Sequence, residues 1–336
     1  MVKAYASHQP KGGLTPFDYE LPDIKSDEVD IAVKYCGICH SDMDMVNNDW
    51  GITEYPIVPG HEVVGVVSQV GCDVQGLEEG QWVGLGWHAY FCNHCHYCNV
   101  GDHNLCSEAQ GTIVSHHGGF ADTVRAQATS VVPIPDGMDY AVIPPLFCAG
   151  ITVYNPMVQF DIKPTEKVGV VGIGGLGHIA LQFLHAWGCE VTAFTTSDDK
   201  KQEALKMGAH HTLNTRSETD FEKAAGSFDY ILITTNASLD WNAYLNLLAP
   251  KGRLHFVGVV PTPLDLSLQP ILFKQLSVSS SPVGSPATIK RMLEFAHQHN
   301  IKPMVETYPF SEVNQAMDKM ASGDVRYRIV LSHEAL

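Results

Sequence analysis

From Thr165 to about Ser281 the apolar positions come in short runs separated by amphipathic stretches. KVGVVGIG, EVTAF, HTLN, DYILITT, GRLHFVG and QLSVSSS read as strands, and segments such as HIALQFLHAWG and DKKQEALKMG between them read as helices. Alternating strands and helices predict a parallel sheet with helices on both faces, an α/β doubly wound unit. Before Pro144 the pattern differs. That stretch is rich in Gly, Pro and Val, with short strand-like runs such as VDIAVKY and HEVVGVVSQV set apart by turn signals, which predicts an irregular, mostly β domain. After Ser285 one amphipathic helix, ATIKRMLEFAHQH, and a terminal strand, YRIVL, are expected to return to the first domain. The expected division is therefore 1–148 with 286–336, against 149–285.

Composition narrows the function classes. The chain has 336 residues, which suits two domains, and 45% are apolar, an ordinary share for a protein with a real core. Lys and Arg total 21 against 37 Asp and Glu, a formal charge of −16, so the surface repels phosphate backbones and nucleic acid is not an expected partner. MVKAYASHQPKGG is not a secretory signal, and no run approaches the ~20 apolar residues of a membrane span. The expected location is the cytoplasm. Nine cysteines there point to metal or thiolate chemistry.

Gly172, Gly174 and Gly177 stand in G-x-G-x-x-G spacing, after an apolar strand and at the opening of a helix. That context marks a Rossmann dinucleotide site. Gly172 permits the tight turn, Gly174 lets backbone approach a pyrophosphate, and Gly177 lets the helix pack on the strand. Gly175 and Leu176 complete the turn, whose N–H groups attract phosphate. The plain alternative is a βα turn without ligand. NAD enzymes place an acid at the end of the next strand. Here Phe194 is followed by Thr195, Thr196 and Ser197, with Lys200 beyond and Asp198 and Asp199 past the strand tip. Hydroxyls and an ammonium suit a 2′-phosphate, so NADP(H) is expected, although Lys200 also fits a solvated helix start.

Cys92, Cys95, Cys98 and Cys106 give C-x2-C-x2-C-x7-C. Four thiolates can close a tetrahedral shell around zinc and leave no open position, which makes this a structural site. An iron–sulfur cluster is the rival, but the fourth spacing is longer than in ferredoxins and Ser107 replaces the proline. His94, His96 and His103 could compete as ligands, but they are expected at the surface. Cys39 in CGICHSD, His61 in PGHEVVG and Cys148 in PPLFCAGITVY fit a second, open metal site, but spacing alone cannot join residues so distant. Cys36 and Cys148 could both be buried apolar thiols, and a lone histidine is usually no ligand.

CGICHSD, GHE, the cysteine lobe, CAGITVY and GIGGLGH, in this order, resemble the zinc-containing medium-chain alcohol dehydrogenases over nearly the whole chain. DYELPDIKSDEVDIAVKYCGICHSD, NNDWG and VRYRIVL are similar to the cinnamyl alcohol dehydrogenase branch, and within it to bacterial NADPH-dependent aldehyde reductases. The resemblance implies a GroES-like catalytic domain beside the Rossmann domain, two zinc ions per chain, an aldehyde or alcohol substrate and a homodimer. It implies Cys39, His61 and Cys148 as catalytic zinc ligands, Glu62 as a carboxylate able to exchange onto the metal, and Asp42 as the acid that orients His61. His40 would face the cofactor pyrophosphate, and Ser41 would bond the substrate oxygen. Thr152 would lie near the nicotinamide, and the backbone of Ser281, Pro282 and Val283 would hold its carboxamide. Cys36, Cys72 and Cys189 match no ligand. Asp44 stands where many relatives carry the histidine that donates the outer proton, which leaves Asp44, a cofactor hydroxyl or water for that step, an inert surface Asp44 being the alternative.

Trp50 and Trp87, with Phe147, are candidates for an apolar substrate pocket, core packing being the alternative. Three rival functions stand beside the reductase. An NAD-dependent polyol or amino-alcohol dehydrogenase is opposed by the missing acid. A zinc-stabilised binding protein is opposed by the charge. A non-catalytic relative is opposed by the complete set of implied zinc ligands.

Overall fold

A computed structural model describes residues 1–196 and 199–333. The chain divides into two compact units, Met1–Ile151 with Val283–Leu336, and Thr152–Pro282. Among the described residues no helix is long and apolar enough to cross a membrane.

The second unit holds six parallel strands in the order His211–Asn214, Glu190–Thr195, Lys167–Val171, Phe228–Ile233, Leu248–Phe256 and Ser277–Ser280. The chain begins in the middle, winds to one edge, then returns and winds to the other. In open parallel sheets ligands bind at the carboxyl ends where that order reverses, here beside Val171. The central strands are buried on both faces, and so they read as continuous apolar runs (VGVV, YILI) without alternation. The helix Gly177–Trp187 packs above them and ends on Gly188, at φ 102°, where the left-handed turn requires a residue without Cβ.

The first unit is built on a seven-stranded sheet, ordered Val305–Pro309, Arg328–Ser332, Glu28–Ile38, Glu62–Val70, Trp82–Leu85 and Val131–Pro133, with Thr123–Gln127 pairing the beginning of Glu28–Ile38. Its core is mostly Val and Ile from the inward face, among them Val29, Ile31, Val33, Val63, Val67 and Ile329. The terminal strand pairs antiparallel with the end of Glu28–Ile38, Ile329 opposite Ile38. This pairing carries the C-terminal segment back into the first unit.

The stretch after Ser285 is richer than its sequence suggests. In addition to the helix Pro286–Gln298 it contains a strand, Val305–Pro309, and a second helix, Val313–Ser322. That helix buries only Val313, Ala316 and Met320, and the strand lies at the sheet edge with every residue half-buried. Neither leaves a strong apolar period.

Candidate active site

Cys39 ends the long strand and caps the helix His40–Asn47. Asp42, in the first turn, is fully buried and ties three segments together. Its Oδ2 accepts the Cys39 N–H at 2.8 Å, and its Oδ1 accepts the Gly60 N–H at 2.8 Å and meets His61 Nδ1 at 3.0 Å. Gly60 has φ 100°, and a Cβ there would strike Phe120 and the Cys36 sulfur, so only glycine turns the chain into His61. With backbone donors already on both carboxylate oxygens, the Nδ1 proton belongs to His61 and its lone pair is left on Nε2. That nitrogen is buried without a hydrogen-bond partner among the described residues.

Ligand atoms of Cys39, His61, Glu62 and Cys148 lie within 4.8 Å of one another. The two sulfurs are 3.8 Å apart, far beyond a disulfide and close to the ~3.8 Å edge of a tetrahedron with ~2.3 Å metal–sulfur bonds. An orphaned, oriented imidazole nitrogen beside two such sulfurs fits zinc. The Cys148 S–H pulls the Cys39 thiol well below its ordinary range, and Arg328 and His61 add to this against the cost of burial. Replacing Asp42 with Asn keeps the size but loses the charge that orients His61. Asp42→Asn should cost about 10- to 100-fold in zinc affinity or activity, measured by metal content under a competing chelator and by kcat/KM.

Glu62 follows His61, and its Oε1 pairs with the guanidinium of Arg328. Both are buried, and burial pushes the Glu62 carboxyl up to about 7 against the pull of Arg328. Gly37 makes room for this pair, since a Cβ there would lie 2.0 Å from Glu62 Oε2. Arg328 Nη1 also stands 3.9 Å from the Cys39 sulfur. Sequence reasoning missed Arg328. The available signal was a lone cation inside an apolar terminal strand, since arginine is almost never buried unless paired.

Ser41 Oγ lies 3.9 Å from Cys39 Sγ, His40 is exposed at the helix start, and Asp44 is half-buried, its carboxyl raised chiefly by burial. Trp87 stands edge-on to the His61 ring at 5.0 Å, and Trp50 packs on Trp87 at 5.8 Å. Phe147 is different. It is fully buried and fills the space that the missing Gly84 side chain leaves, where a Cβ would come 1.9 Å from its ring, so it is core and not pocket.

The four cysteines of the lobe also converge within 4.8 Å, with Cys92 Sγ 3.9 Å from Cys98 Sγ and 3.5 Å from Cys106 Sγ. Their apolar surroundings amount to little more than Phe91. His94 and Glu108 approach Cys92 from outside, His96 is exposed, and His103 packs on Phe91. Cys36 and Cys189 are buried and Cys72 is exposed.

The expected dinucleotide residues lie mostly along the carboxyl edge of the parallel sheet. Gly172 has φ 95° and a Cβ there would crowd Thr235, a Cβ on Gly177 would lie 2.2 Å from the Gly172 carbonyl, and a Cβ on Gly174 would meet nothing within 4 Å. Gly175 and Leu176 form the turn between them. Thr195 ends its strand with a buried hydroxyl that has no partner among the described residues, and Thr196 is exposed. Lys200 is half-buried at the start of the helix Asp199–Lys206, and Ser197 lies outside the described residues. Thr152 and Ser281 are buried in the same unit, while Val283 and His40 belong to the other.

The alcohol dehydrogenase GroES-like domain family matches residues 25–136, and the zinc-binding dehydrogenase family matches residues 175–298. The aldehyde reductase AdhA of Synechocystis is 56% identical over 333 residues, 99% of each chain. Cinnamyl alcohol dehydrogenase 2 of Rauvolfia serpentina is 39% identical over 98% of this chain and 95% of its own. Among solved structures, a cinnamyl alcohol dehydrogenase of Sorghum bicolor superposes with a TM-score of 0.94 at 36% identity, covering 98% of this chain and 97% of the other. The CAD of Helicobacter pylori, complexed with NADP(H), superposes with a TM-score of 0.89 at 29% identity, covering the same shares.

Proposed function

Since the chain belongs to the zinc-binding alcohol dehydrogenases, in their cinnamyl alcohol dehydrogenase branch, we propose that it reduces aldehydes to primary alcohols with NADPH, reversibly, at a zinc held by Cys39, His61 and Cys148. The observation that carries this reading is the buried His61 Nε2, orphaned and aimed by Asp42, beside two free sulfurs 3.8 Å apart. When bound, zinc supplies Lewis-acid polarisation of the carbonyl, and the nicotinamide supplies hydride to its carbon.

This chain's own residues do the rest. Cys39, Cys148 and His61 would hold the zinc, and three protein ligands would leave room for the substrate oxygen. Asp42 fixes the His61 tautomer. Ser41 passes a proton to the oxygen as its charge develops, as a conduit fed by Asp44, water or a cofactor hydroxyl, because serine is a poor acid. Glu62, held by Arg328, would be the carboxylate able to exchange onto a bound zinc. Trp87 and Trp50 form an apolar wall beside His61, which suits aromatic or medium-chain aldehydes. A second zinc closes the Cys92–Cys95–Cys98–Cys106 lobe as a structural ion. For each aldehyde reduced, one hydride and one proton enter, and one NADPH becomes NADP+.

NADP preference rests on the strand end, where the sequence has Thr195 and Thr196 in place of an acid, and on Lys200, which follows Asp198 and Asp199 past the strand tip. It is tested by initial rates with benzaldehyde on zinc-replete protein. NADPH should outperform NADH in kcat/KM, and Lys200→Ala should raise the NADPH KM about tenfold while leaving that for NADH unchanged. Faster turnover with NADH, or a Lys200→Ala protein with an unchanged NADPH KM, would overturn the preference.

A further inference from the structure

The first unit contains a concave site that the chemistry above does not use. Tyr19, Tyr55, Tyr90, His116 and His117 line a cavity of about 440 Å³, a size that suits a small organic molecule. Much of the remaining lining is apolar, from Leu21, Ile57, Ala89, Ile113 and Ala126. None of Cys39, His61, Cys148, Trp50 and Trp87 lines it, so it is separate from the candidate active site.

The protein's own hydrogen bonds fix its walls. Tyr55 donates its hydroxyl to the Val46 carbonyl at 2.7 Å, Gln110 Nε2 donates to the Ser115 carbonyl at 3.0 Å, and His116 Nδ1 meets the Thr112 carbonyl at 3.1 Å. The charges around the cavity are matched internally. Arg125 donates to both oxygens of Asp30, at 2.7 and 2.9 Å, and to the Pro22 carbonyl at 2.6 Å. Lys25 pairs with Glu28 at 3.1 Å, and Glu54 is exposed to water. Burial lowers both His116 and His117, so at neutral pH their rings are uncharged.

Two polar groups on the lining remain uncommitted. The Tyr19 and His117 rings lie 4.5 Å apart, and neither side chain has a hydrogen-bond partner among the described residues. Burial, and then Asp122 and Asp30, raise the Tyr19 hydroxyl against the pull of Arg125, so it stays protonated and can donate. A neutral His117 offers a lone pair as well as one N–H. Aromatic walls favour a flat ligand. With no spare charge in the walls, an ionised ligand would lose its water and gain no counter-ion. A donor beside an acceptor suits a group that accepts and donates at once, which is a hydroxyl.

We propose that this cavity is a second small-molecule site, specific for a neutral phenol whose hydroxyl accepts from Tyr19 and donates to His117. The site does not depend on the reductase reading, since it shares no residue with the zinc cluster or the dinucleotide turn.

The test uses the zinc-loaded full chain with 4-propylphenol as the probe, which has neither the carbonyl nor the primary alcohol of a substrate. 1H–13C NMR of labelled histidines, with signals assigned by difference from His116→Gln and His117→Gln, should show the His117 ring shifting along one saturable isotherm. In wild type, 4-propylanisole, which cannot donate, should bind about fivefold more weakly than the phenol, and 4-propylbenzoate at least about tenfold more weakly. Tyr19→Phe keeps the ring and should weaken the phenol about fivefold. His117→Phe, followed at His116, should give phenol and anisole the same affinity. His117 signals that stay still would place any binding elsewhere and overturn the inference. Equal wild-type affinities for phenol and anisole, tighter binding of the benzoate, or an unchanged phenol affinity in Tyr19→Phe would each do the same.

Discussion

Cys148→Ala protein should hold one zinc per chain in place of two and lose at least about a thousandfold in kcat/KM with an aromatic aldehyde. Removing one sulfur leaves Cys39 and His61, two ligands for a metal that normally takes three from the protein in an open site. The Lewis-acid contribution is worth several kcal/mol of transition-state stabilisation, and about 4 kcal/mol corresponds to roughly a thousandfold. Cofactor binding is expected to survive, because the glycine turn and Thr195 lie in the other compact unit. Metal analysis, steady-state kinetics and NADPH titration on one preparation separate these effects. Full zinc content with full turnover would show that Cys148 is not a ligand.

The second large effect concerns stability. The cysteine lobe buries Phe91, Cys92, Cys98 and Cys106 and has almost no other apolar contacts of its own. A segment with so little hydrophobic core depends on a cross-link, and a metal bound by the folded form alone contributes its binding free energy to folding. Cys106→Ala should therefore release the lobe zinc and destabilise the protein by at least about 3 kcal/mol, on the order of 10 °C in Tm for a unit of this size. New proteolytic cleavage should appear within residues 92–106. A Tm within a degree of wild type, with two zinc ions retained, would refute the structural-zinc assignment.

The two sites differ in how far the sequence reveals them, and the reason is contact range. The lobe's ligands fall within fifteen residues, so a local segment closes on itself and the spacing is informative. Cys39, His61 and Cys148 come from a strand end, a turn and the segment before a helix, and only the assembled sheet brings them together. Resemblance could join them, but periodicity could not. Arg328 shows the same limit, since its partner Glu62 is 266 positions away. The parallel sheet was legible because the central strands carry unbroken apolar runs, Val168–Val171 and Tyr230–Ile233, bounded by turns. The helix Val313–Ser322 was not, because Ala316 is small and the remaining face is polar. Phe147 looked like a pocket residue from its aromatic type, but the decisive fact was the gap above Gly84, which exists only in the folded protein. The cavity of the first unit draws Tyr19, Tyr55 and His117 from three separate segments and leaves no pattern in any of them.

The most direct measurement follows benzaldehyde-dependent NADPH oxidation and zinc content together while a soluble chelator withdraws metal from the wild-type protein. Turnover should fall in proportion to the first zinc lost, reach zero at one zinc per chain with the protein still folded, and return when zinc is restored. Turnover that persists at one zinc per chain, or is absent at two, would contradict a catalytic zinc at Cys39, His61 and Cys148.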